Sequence, residues 1–359
     1  MPSRSKKKFT GELEKLKKKL KTFGIPLKLK EEINDELLRL EKLSELGIYS
    51  QEYKKVSSYI DWVSNLPWEK KSDDILSLEH AQKVLDKNHY GLSSIKERIL
   101  EYLAVMKLKR ERGIEERKKP LKFMRAPILC LVGLVGTGKT TLAYSIAEAM
   151  GRSFQRIPFG GMGDPLYLRG QSRAHPDSEP GQVIKALRRA GTKNPVILLD
   201  EIDRVVEASR ATIMGVLVEL LDPEQNMAFT DHYLDYPFDL SQVLFIATAN
   251  NTGSISTAVM DRLEPIQMPS YTDEEKIIIG KDYVLPTQME EAGLTENDLV
   301  IDNDVWPQIV RPLGYDAGIR TLERTINGIC RKVAKAIVEK KAKKFHLNSE
   351  NIKQFLPTW

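Results

Sequence analysis

The sequence is poor in the residues that build disulfide and metal frameworks. Its 359 residues include two cysteines and five histidines. Cys130 and Cys330 lie in apolar or helical segments, and neither has a second cysteine or a histidine at ligand spacing. We therefore expect both to be small buried side chains in a reducing compartment, which excludes the disulfide-stabilised class of secreted domains.

Long apolar runs are also missing. No stretch approaches the ~18 consecutive apolar residues of a membrane span, and the N-terminus carries lysines where a signal peptide needs a hydrophobic segment. Hydrophobic residues make up 41% of the chain and charged residues 29%, as is typical of globular proteins. These features predict a cytoplasmic protein without a membrane interaction, with the mitochondrial matrix as the alternative compartment.

Positive charge is concentrated at the N-terminus. Residues 1–30 contain eleven lysines and arginines but two acidic residues, whereas the whole chain has a net charge of +5. A basic arm of this kind can bind the phosphate backbone of DNA. A solvated, lysine-rich lead-in to a helix is the preferred interpretation, because the arm lacks a series of aromatic residues that would stack on bases.

The first third of the chain has the apolar periodicity of helices. Between Leu13 and about Arg112, apolar residues recur three and four positions apart, with lysine and glutamate between them. Turn-forming residues at 24–26, at Gly47 and at 66–68 divide this region into several helices.

Three short apolar runs follow, and helical patterns separate them. The runs span Ile128–Val132, Val196–Leu199 and Val243–Ala247 and are typical of buried strands. Strands that alternate with helices predict an α/β fold with a parallel sheet, and after Pro269 the pattern is helical again. The predicted domains are a helical N-terminal region (1–115), an α/β domain (116–270) and a small helical domain (271–359).

A phosphate-binding loop follows the first of these strands. Residues 133–140 match the pattern G-x-x-x-x-G-K-[ST], and a predicted helix, Thr141 to Met150, comes next. Backbone N–H groups of such a loop converge on phosphate oxygens, while Lys139 reaches the β- and γ-phosphates and the Thr140 hydroxyl ligates Mg²⁺. The predicted ATP-binding residues are Gly133, Gly136, Thr137, Gly138, Lys139, Thr140 and Thr141. The alternative is a glycine-rich turn that binds nothing.

Polar residues end the other two predicted strands. Asp200 and Glu201 follow the second strand, at the sheet edge where α/β proteins bind ligands. Asp200 can hold Mg²⁺ through water molecules and Glu201 can polarise the attacking water, although a helix N-cap is an alternative use of this acidic cluster. Asn250 follows the third strand, where its amide would sense the γ-phosphate; a simple turn is the alternative there.

The chain also resembles a known family over most of its length. Segments within residues 221–241, beginning with LDPEQN, are similar to the ATPase module of the Lon family of ATP-dependent proteases, within the AAA+ superfamily. Residues 59–68 and 90–100 resemble the helical region and the entry to the ATPase domain of that family, and residues 317–324 resemble its small helical domain. The resemblance implies an AAA+ fold with a helical region on either side.

The resemblance implies roles for four further residues. Arg262 matches the arginine finger that completes the site of the neighbouring subunit, and Arg320 matches the sensor arginine that closes the small domain onto the nucleotide. Tyr90 and Tyr271 correspond to positions that hold the adenine. Because an arginine finger is worth about 10³ to 10⁵ in rate, a working ATPase of this kind is expected to be a homo-oligomeric ring, a hexamer, that acts on unfolded or misfolded proteins.

We find no peptidase motif in the sequence. In the Lon family a peptidase domain with a Ser–Lys dyad follows the small helical domain, so we expect this chain to lack the peptidase residues; it also contains neither G-x-S-x-G nor H-E-x-x-H. Three functions stay open. The chain is the motor of an ATP-dependent protease, a non-proteolytic AAA+ regulator that binds a partner or DNA, or a nucleotide-binding scaffold that hydrolyses little.

One polar segment departs from the family pattern. Residues 168–182, LRGQSRAHPDSEPGQ, lie between a further predicted strand, which ends near Phe159–Gly161, and a helix predicted to start at Gly181. In AAA+ rings a loop at this place projects into the central channel. Lon proteases have an aromatic residue, an aliphatic residue and a glycine there to grip the passing chain. This sequence has His175, Pro176 and Asp177, so we expect substrate grip to be weak or absent.

Overall fold

The computed structural model describes residues 14–20, 24–45, 50–113, 128–312 and 316–357. Residues 14–20 are helical. The helices that follow before the sheet are α1 (Leu27–Glu45), α2 (Ser50–Ser64), α3 (Leu78–Asn88) and α4 (Ser93–Glu111). The predicted helical breaks at 24–26 and 66–68 are present, whereas Gly47 and most of the basic arm lie outside the described residues.

The described strands are short. In chain order they are β1 (Ile128–Val132), β2 (Phe154–Pro158), β3 (Val196–Asp200), β4 (Phe229–Thr230), β5 (Pro237–Phe238), β6 (Leu244–Ala249), β7 (Leu263–Gln267), β8 (Leu299–Ile301) and β9 (Phe345–Leu347). Five of them form a parallel sheet in the order β2-β3-β6-β1-β7, which confirms the predicted α/β class. β4 and β5 pair antiparallel, and β8 and β9 pair parallel.

Several strands differ from the sequence prediction: β3 ends one residue later, at Asp200, and β4, β5, β8 and β9 were not predicted. The run predicted as Val243–Ala247 begins one residue later and extends to Ala249, because Thr248 and Ala249 are also buried in the sheet. β7 was not predicted as a strand at all. It is an edge strand that contains Pro265, and its buried positions, Leu263 and Ile266, are three residues apart, so it has neither a continuous apolar run nor strict alternation.

Helices cover the sheet and continue beyond it. Those within the α/β region are α5 (Lys139–Met150), α6 (Leu166–Arg169), α7 (Gln182–Ala190), α8 (Arg210–Leu221) and α9 (Thr257–Met260). Those of the C-terminal region are α10 (Asp273–Ile279), α11 (Leu285–Glu291), α12 (Trp306–Val310), α13 (Arg320–Val338) and α14 (Ile352–Phe355). None of the described helices is both long enough and apolar enough to cross a bilayer.

Each face of the sheet has its own apolar core, because successive side chains of a strand point to opposite faces. On one face, α3 and α4 pack with α5 against Leu129 and Leu131 of β1. On the other, α1 and α2 share a core with α7, α8 and the intervening strand residues Cys130 and Val132. The two halves of the N-terminal helical region therefore belong to the cores on opposite faces of the sheet. The predicted domain boundary at 115/116 lies outside the described residues.

The C-terminal helices form a third core around Trp306, which is fully buried. α10 runs through a π-helical turn (Gly280–Val284) into α11, and Gly280 is required there because a β-carbon would lie 2.6 Å from Cζ3 of Trp306. Both cysteines are free and buried, as predicted: Cys130 in the sheet and Cys330 in this third core. Burial raises the pKa of Cys130 to about 12 and that of Cys330 to about 11.

Candidate nucleotide site

The predicted nucleotide-binding residues meet at one edge of the sheet. β3, β6 and β1 are adjacent, and all three strands are parallel, so their carboxyl ends lie side by side. β1 leads into residues 133–138, β3 ends at Asp200, and Asn250 directly follows β6. The fold thus brings together the three motifs that are far apart in the sequence.

The glycines of the loop are required for different reasons. Gly136 and Gly138 have φ angles of +82° and +87°, a left-handed conformation that only glycine adopts at little cost. Gly133 has no such angle, but a β-carbon there would lie 2.7 Å from the Cβ of Met268 at the end of β7. The loop is therefore fixed both by its own backbone and by the neighbouring strand.

Lys139 bridges the phosphate loop and Asn250. Its Nζ donates to the carbonyls of Gly133 (2.6 Å) and Leu134 (2.9 Å) and to Oδ1 of Asn250 (3.2 Å). Burial lowers the pKa of this ammonium, while nearby carboxylates oppose the shift. The Nδ2 of Asn250 is buried and has no hydrogen-bond partner among the described residues. The site therefore holds a cation and an unsatisfied amide donor next to each other.

Both oxygens of the Asp200 carboxylate are engaged. Oδ1 accepts from the hydroxyl of Thr248 (2.5 Å), and Oδ2 accepts from Nε of Arg156 (2.6 Å). Asp200 is buried at the sheet edge, whereas the Arg156 side chain on β2 is 54% exposed. Sequence reasoning missed Arg156 and Thr248. A cation and a hydroxyl on the strands that flank β3 were the available signal, but only the strand order shows which residues flank it.

Glu201 has a constrained backbone. Its φ is +58°, which is uncommon for a residue with a side chain, and its N–H donates to the Thr248 hydroxyl (2.8 Å). Oε2 lies close to Gly160, where a β-carbon would approach it to 2.9 Å, and Oε1 is 3.7 Å from the Arg204 guanidinium. Thr248 therefore fixes both predicted acidic residues, one through its side chain and the other through its backbone.

Thr137, Thr140 and Thr141 differ in environment. The Thr137 hydroxyl is buried and donates to Leu134 O (2.9 Å), so it holds the loop. The Thr141 hydroxyl donates to Gly138 O (2.9 Å) and is exposed. Thr140 is half-buried in the first turn of α5, next to Lys139. Thr137 and Thr141 thus both bond to carbonyls of the loop, and of the two only Thr137 is buried.

The two tyrosines predicted at the adenine line one cavity of about 170 Å³. Tyr90 and Tyr271 face it together with Gly138, and the Tyr271 hydroxyl lies 3.4 Å from Thr137 O. His89 also lines it and forms a hydrogen bond through Nε2 with Ser145 Oγ (2.9 Å). Burial, aided by the charge of Lys96, lowers the pKa of His89 to about 4. The cavity opens beside the phosphate loop, at Gly138.

Arg320 begins α13, and the residues before it contact the phosphate loop directly. The N–H of Ile319 donates to Gly136 O (3.0 Å). Gly318 is buried, and a β-carbon there would lie 2.5 Å from the carbonyl carbon of Gly136. The Arg320 side chain is exposed. The C-terminal helical region therefore rests on the phosphate loop through backbone contacts.

Arg262 lies between α9 and β7, away from the phosphate loop of its own chain. Its guanidinium donates to Asp222 Oδ2 (2.7 Å) and to Ala258 O (2.7 Å), and its side chain is 28% exposed. Although burial opposes the shift, Arg262 holds the pKa of Asp222 below its usual range. The structure thus places Arg262 on an ion pair with the LDPEQN segment.

The polar segment of the sequence forms a closed loop with an exposed tip. We call residues 170–181 the channel loop. Its ends meet at Gly170 and Gly181, since a β-carbon on Gly181 would lie 2.7 Å from the backbone nitrogen of Gly170. Leu168 itself is fully buried in α6, so the apolar start of the segment belongs to the core. The predicted tip residues His175, Pro176 and Asp177 are all exposed.

Asp231 closes the neck of the channel loop. Its carboxylate accepts from three backbone N–H groups, those of Gly181 (2.7 Å), Tyr233 (2.8 Å) and Leu234 (3.1 Å). Burial raises the pKa of Asp231 to about 6, although these donors oppose the shift. Sequence analysis did not predict that Asp231 closes the loop, because an aspartate in a turn is too common to indicate a contact with a residue fifty positions away.

Two sequence models of known families match this chain. Residues 129–271 match the sequence model of the ATPase family associated with various cellular activities (AAA), and residues 290–345 match that of the Lon protease AAA+ ATPase lid domain. Similar proteins include Lon protease of Lawsonia intracellularis, 44% identical over 345 residues, and Lon protease 1 of Bacillus subtilis, 43% identical over 347 residues.

These matches span 96% and 97% of this chain but 40% and 43% of the two relatives. Lon protease 2 of Thermus thermophilus, 41% identical, is covered to a similar extent, 42%. The chain therefore corresponds to about two fifths of the length of the proteins that it matches. Because the matched part includes both the ATPase and the lid that rests on its phosphate loop, the chain contains the AAA+ ATPase module of the Lon protease family.

Proposed function

We propose that this chain hydrolyses ATP with Mg²⁺ and uses the reaction to unfold and translocate protein chains. The observation that carries the proposal is the convergence of Lys139, Asp200, Glu201 and Asn250 at three adjacent strand ends. Such a set supplies charge neutralisation, metal binding and water activation, which phosphoryl transfer requires. A glycine-rich turn without a ligand would not need the other three residues beside it.

Lys139 and the phosphate loop bind the nucleotide in this proposal. The ammonium exchanges the carbonyls of Gly133 and Leu134 for oxygens of the β- and γ-phosphates, which are the stronger acceptors. Asn250 then directs its unsatisfied Nδ2 donor at the γ-phosphate. Tyr90 and Tyr271 hold the adenine in the adjoining cavity. Arg320 approaches the phosphates from the lid, since its Cβ would lie 3.3 Å from a β-carbon on Gly136.

Asp200 and Thr140 would hold Mg²⁺, which supplies positive charge on the β- and γ-phosphates when bound. The donor set fits, because carboxylate and hydroxyl oxygens are the ligands that this ion prefers. The Asp203 Oδ1, buried nearby on the turn that follows β3, has no hydrogen-bond partner among the described residues and adds negative potential. Glu201 polarises the attacking water, with its position set by the Thr248 contact.

The assembled form is part of the proposal. Arg262 is separated from the phosphate loop of its own chain and would complete the site of a neighbouring copy in a ring of six. The lid over residues 271–359 and the helical region over 1–115 would then move with the nucleotide state of the α/β domain, 116–270. In a complete Lon-type protease the translocated chain reaches a Ser–Lys peptidase.

Phosphate release with and without an unfolded protein tests this function. We expect ATP hydrolysis that requires Mg²⁺ and rises when casein is added, because an engaged substrate speeds the cycle of a translocating motor. Hydrolysis that casein does not change would contradict translocation, and absence of hydrolysis would contradict the ATPase itself. A matched control is Lys139→Ala, which removes the ammonium and should abolish the signal in both conditions.

A second function has one observation in its favour. The exposed tip of the channel loop has His175, Pro176 and Asp177, where a translocating Lon loop has an aromatic, an aliphatic residue and a glycine. An ATP-driven regulator that binds a partner or DNA needs no grip on a moving chain. Basal hydrolysis without stimulation by casein would favour this alternative.

A further inference from the structure

The channel loop has a second attachment besides its neck. The N–H of Gln171 donates to Glu179 O (3.1 Å), and Asp231 accepts from Gly181, so the base of the loop belongs to the α/β domain. Arg173, three residues beyond Gly170, instead reaches the N-terminal helical region. Its Nη1 donates to both carboxylate oxygens of Glu36 on α1, at 2.8 and 3.1 Å.

Arg173 also stacks on an aromatic ring of the helical region. Its guanidinium carbon lies 3.7 Å from the ring centroid of Tyr59 on α2, close enough for a cation–π contact. Tyr59 is buried, and its hydroxyl donates to Leu234 O (2.8 Å), in the same turn that contributes a backbone donor to Asp231. One cation therefore links the loop, two helices and the turn that closes the neck.

The interaction of Arg173 with Glu36 and Tyr59 differs from an incidental surface ion pair in its burial and in its geometry. The side chains of Arg173 and Glu36 are 28% and 31% exposed, so solvent screens them less than a fully exposed pair. The planar guanidinium can donate to a carboxylate and stack on a ring at the same time, which a lysine ammonium does less well. The position therefore requires arginine chemistry rather than positive charge alone.

We propose that Arg173 is a positioning residue by which the N-terminal helical region holds the channel loop in its working orientation. The inference rests on the proposed translocation function, because it concerns how the loop meets a substrate. The tip residues begin two positions after Arg173 and are exposed, so the tether and the neck together define where the tip points. A displacement of α1 and α2 would then be transmitted to the tip.

The chain offers a matched control in Arg188. This residue on α7 donates to Asp61 Oδ2 (2.7 Å), and its guanidinium carbon lies 4.2 Å from the ring centroid of Trp62, both on α2. Their side-chain exposures, 31% for Arg188 and 41% for Asp61, are similar to those of the Arg173 pair. Arg188 thus connects the same two regions by the same chemistry but lies outside the channel loop.

The test compares Arg173→Ala with Arg188→Ala in the full chain. Two quantities are measured: the ratio of casein-stimulated to basal ATP hydrolysis, and the amide hydrogen exchange of residues 171–180. We expect Arg173→Ala to lower the casein-dependent increase in hydrolysis roughly fivefold and to speed exchange in the loop, as loss of an interaction of this strength implies. Arg188→Ala should leave the ratio and the loop's exchange unchanged, with a comparable decrease in thermal stability.

Two further variants separate positioning from folding. Glu36→Gln removes the partner's charge and should reproduce part of the Arg173→Ala effect, while the double variant should be no worse than Arg173→Ala alone. Equal losses in the Arg173 and Arg188 variants, or unchanged exchange in Arg173→Ala, would overturn the inference. If casein fails to stimulate the wild-type chain, the translocation function fails instead, and the exchange measurement still decides whether Arg173 holds the loop.

Discussion

The nucleotide site and the channel loop lie beyond adjacent strands of one sheet, but different constraints hold them in place. Residues of the nucleotide site are fixed between a strand and a helix, and they contact one another: Lys139 with Asn250, and Asp200 and Glu201 with Thr248. The channel loop is fixed at its neck and at Arg173, whereas His175, Pro176 and Asp177 are exposed.

This difference shows where a sequence can diverge without loss of fold. A residue whose partners lie within the chain cannot change without leaving a buried polar group unsatisfied. A residue whose partner is another molecule carries no such constraint from the fold. The predicted nucleotide-binding residues therefore lie in internal contacts, while the exposed tip of the loop departs from the family pattern.

The largest expected effect concerns Arg262, which would break the comparison because in the proposed ring it acts on the nucleotide of a neighbouring subunit. We expect Arg262→Ala to lower ATP turnover by about 10³ to 10⁵ with little change in nucleotide affinity. Wild-type turnover per chain should rise with protein concentration. Phosphate release and titration with a fluorescent ATP analogue measure the two quantities.

Asp222→Asn is the control for Arg262. It removes the charge that Arg262 contacts within its own chain but keeps the arginine. If both variants lose turnover equally, Arg262 acts through this ion pair and not on a neighbour.

The second largest effect is expected from Glu201→Gln, which tests the nucleotide site, where the residues are held by contacts within the chain. An amide of the same shape cannot accept a proton from the attacking water, so we expect turnover to decrease by about 10² to 10⁴. The backbone contact to Thr248 remains, and nucleotide affinity should be preserved. An undiminished rate in single-turnover experiments would show that another group activates the water.

The contributions of the two regions to folding stability should change with pH in opposite directions, through His89 beside the phosphate loop and Asp231 at the neck of the channel loop. The pKa of His89 falls from 6.5 to about 4 on folding, so the unfolded chain binds a proton first and stability is lost as the pH falls through this window. The pKa of Asp231 rises from 3.8 to about 6, so its contribution is present at pH 4 and is lost as the pH rises to about 6. Each effect amounts to about 3 kcal/mol.

Urea unfolding between pH 4 and 7 measures both contributions. His89→Gln keeps a hydrogen-bonding group near Ser145 and should remove the loss at low pH, whereas Asp231→Asn should remove the loss at higher pH. If both variants change the pH profile in the same direction, the environment of one of these groups is misassigned.

The smallest effect is expected at the tip of the channel loop. Replacing His175, Pro176 and Asp177 with Tyr, Ile and Gly should raise the ratio of casein-stimulated to basal hydrolysis by roughly twofold to tenfold, the contribution of one aromatic contact. Asp177 has a φ of +56°, so glycine also suits that backbone. Asp177→Gly alone is the control for this backbone effect, and a ratio that the triple variant does not change would mean that grip lies elsewhere.

Much of the fold could be predicted because its signals are local. The runs that became β1 and β3 are continuous and apolar, and the loop at 133–140 combines glycines with a strand and a helix at fixed spacing. β7 could not be found in this way, because an edge strand with Pro265 has neither an apolar run nor strict alternation.

The residues of the site that sequence reasoning missed are those whose contacts depend on the tertiary fold. Arg156 and Thr248 contact Asp200 only because β2 and β6 flank β3, and Asp231 contacts Gly181 across fifty residues of chain. A carboxylate, a hydroxyl or an arginine occurs in many surface turns and strands, so its type does not indicate its partner.

The two buried cysteines provide natural chemical reporters of local opening. Cys130 lies in the sheet and Cys330 in the lid, and in each the raised pKa keeps the reactive thiolate scarce while the fold is closed. Thiol labelling should therefore proceed through opening of the surrounding core, at a rate set by the stability of that core. Because one cysteine lies in the sheet and the other in the lid, the labelling kinetics would show whether nucleotide stabilises the sheet, the lid or both.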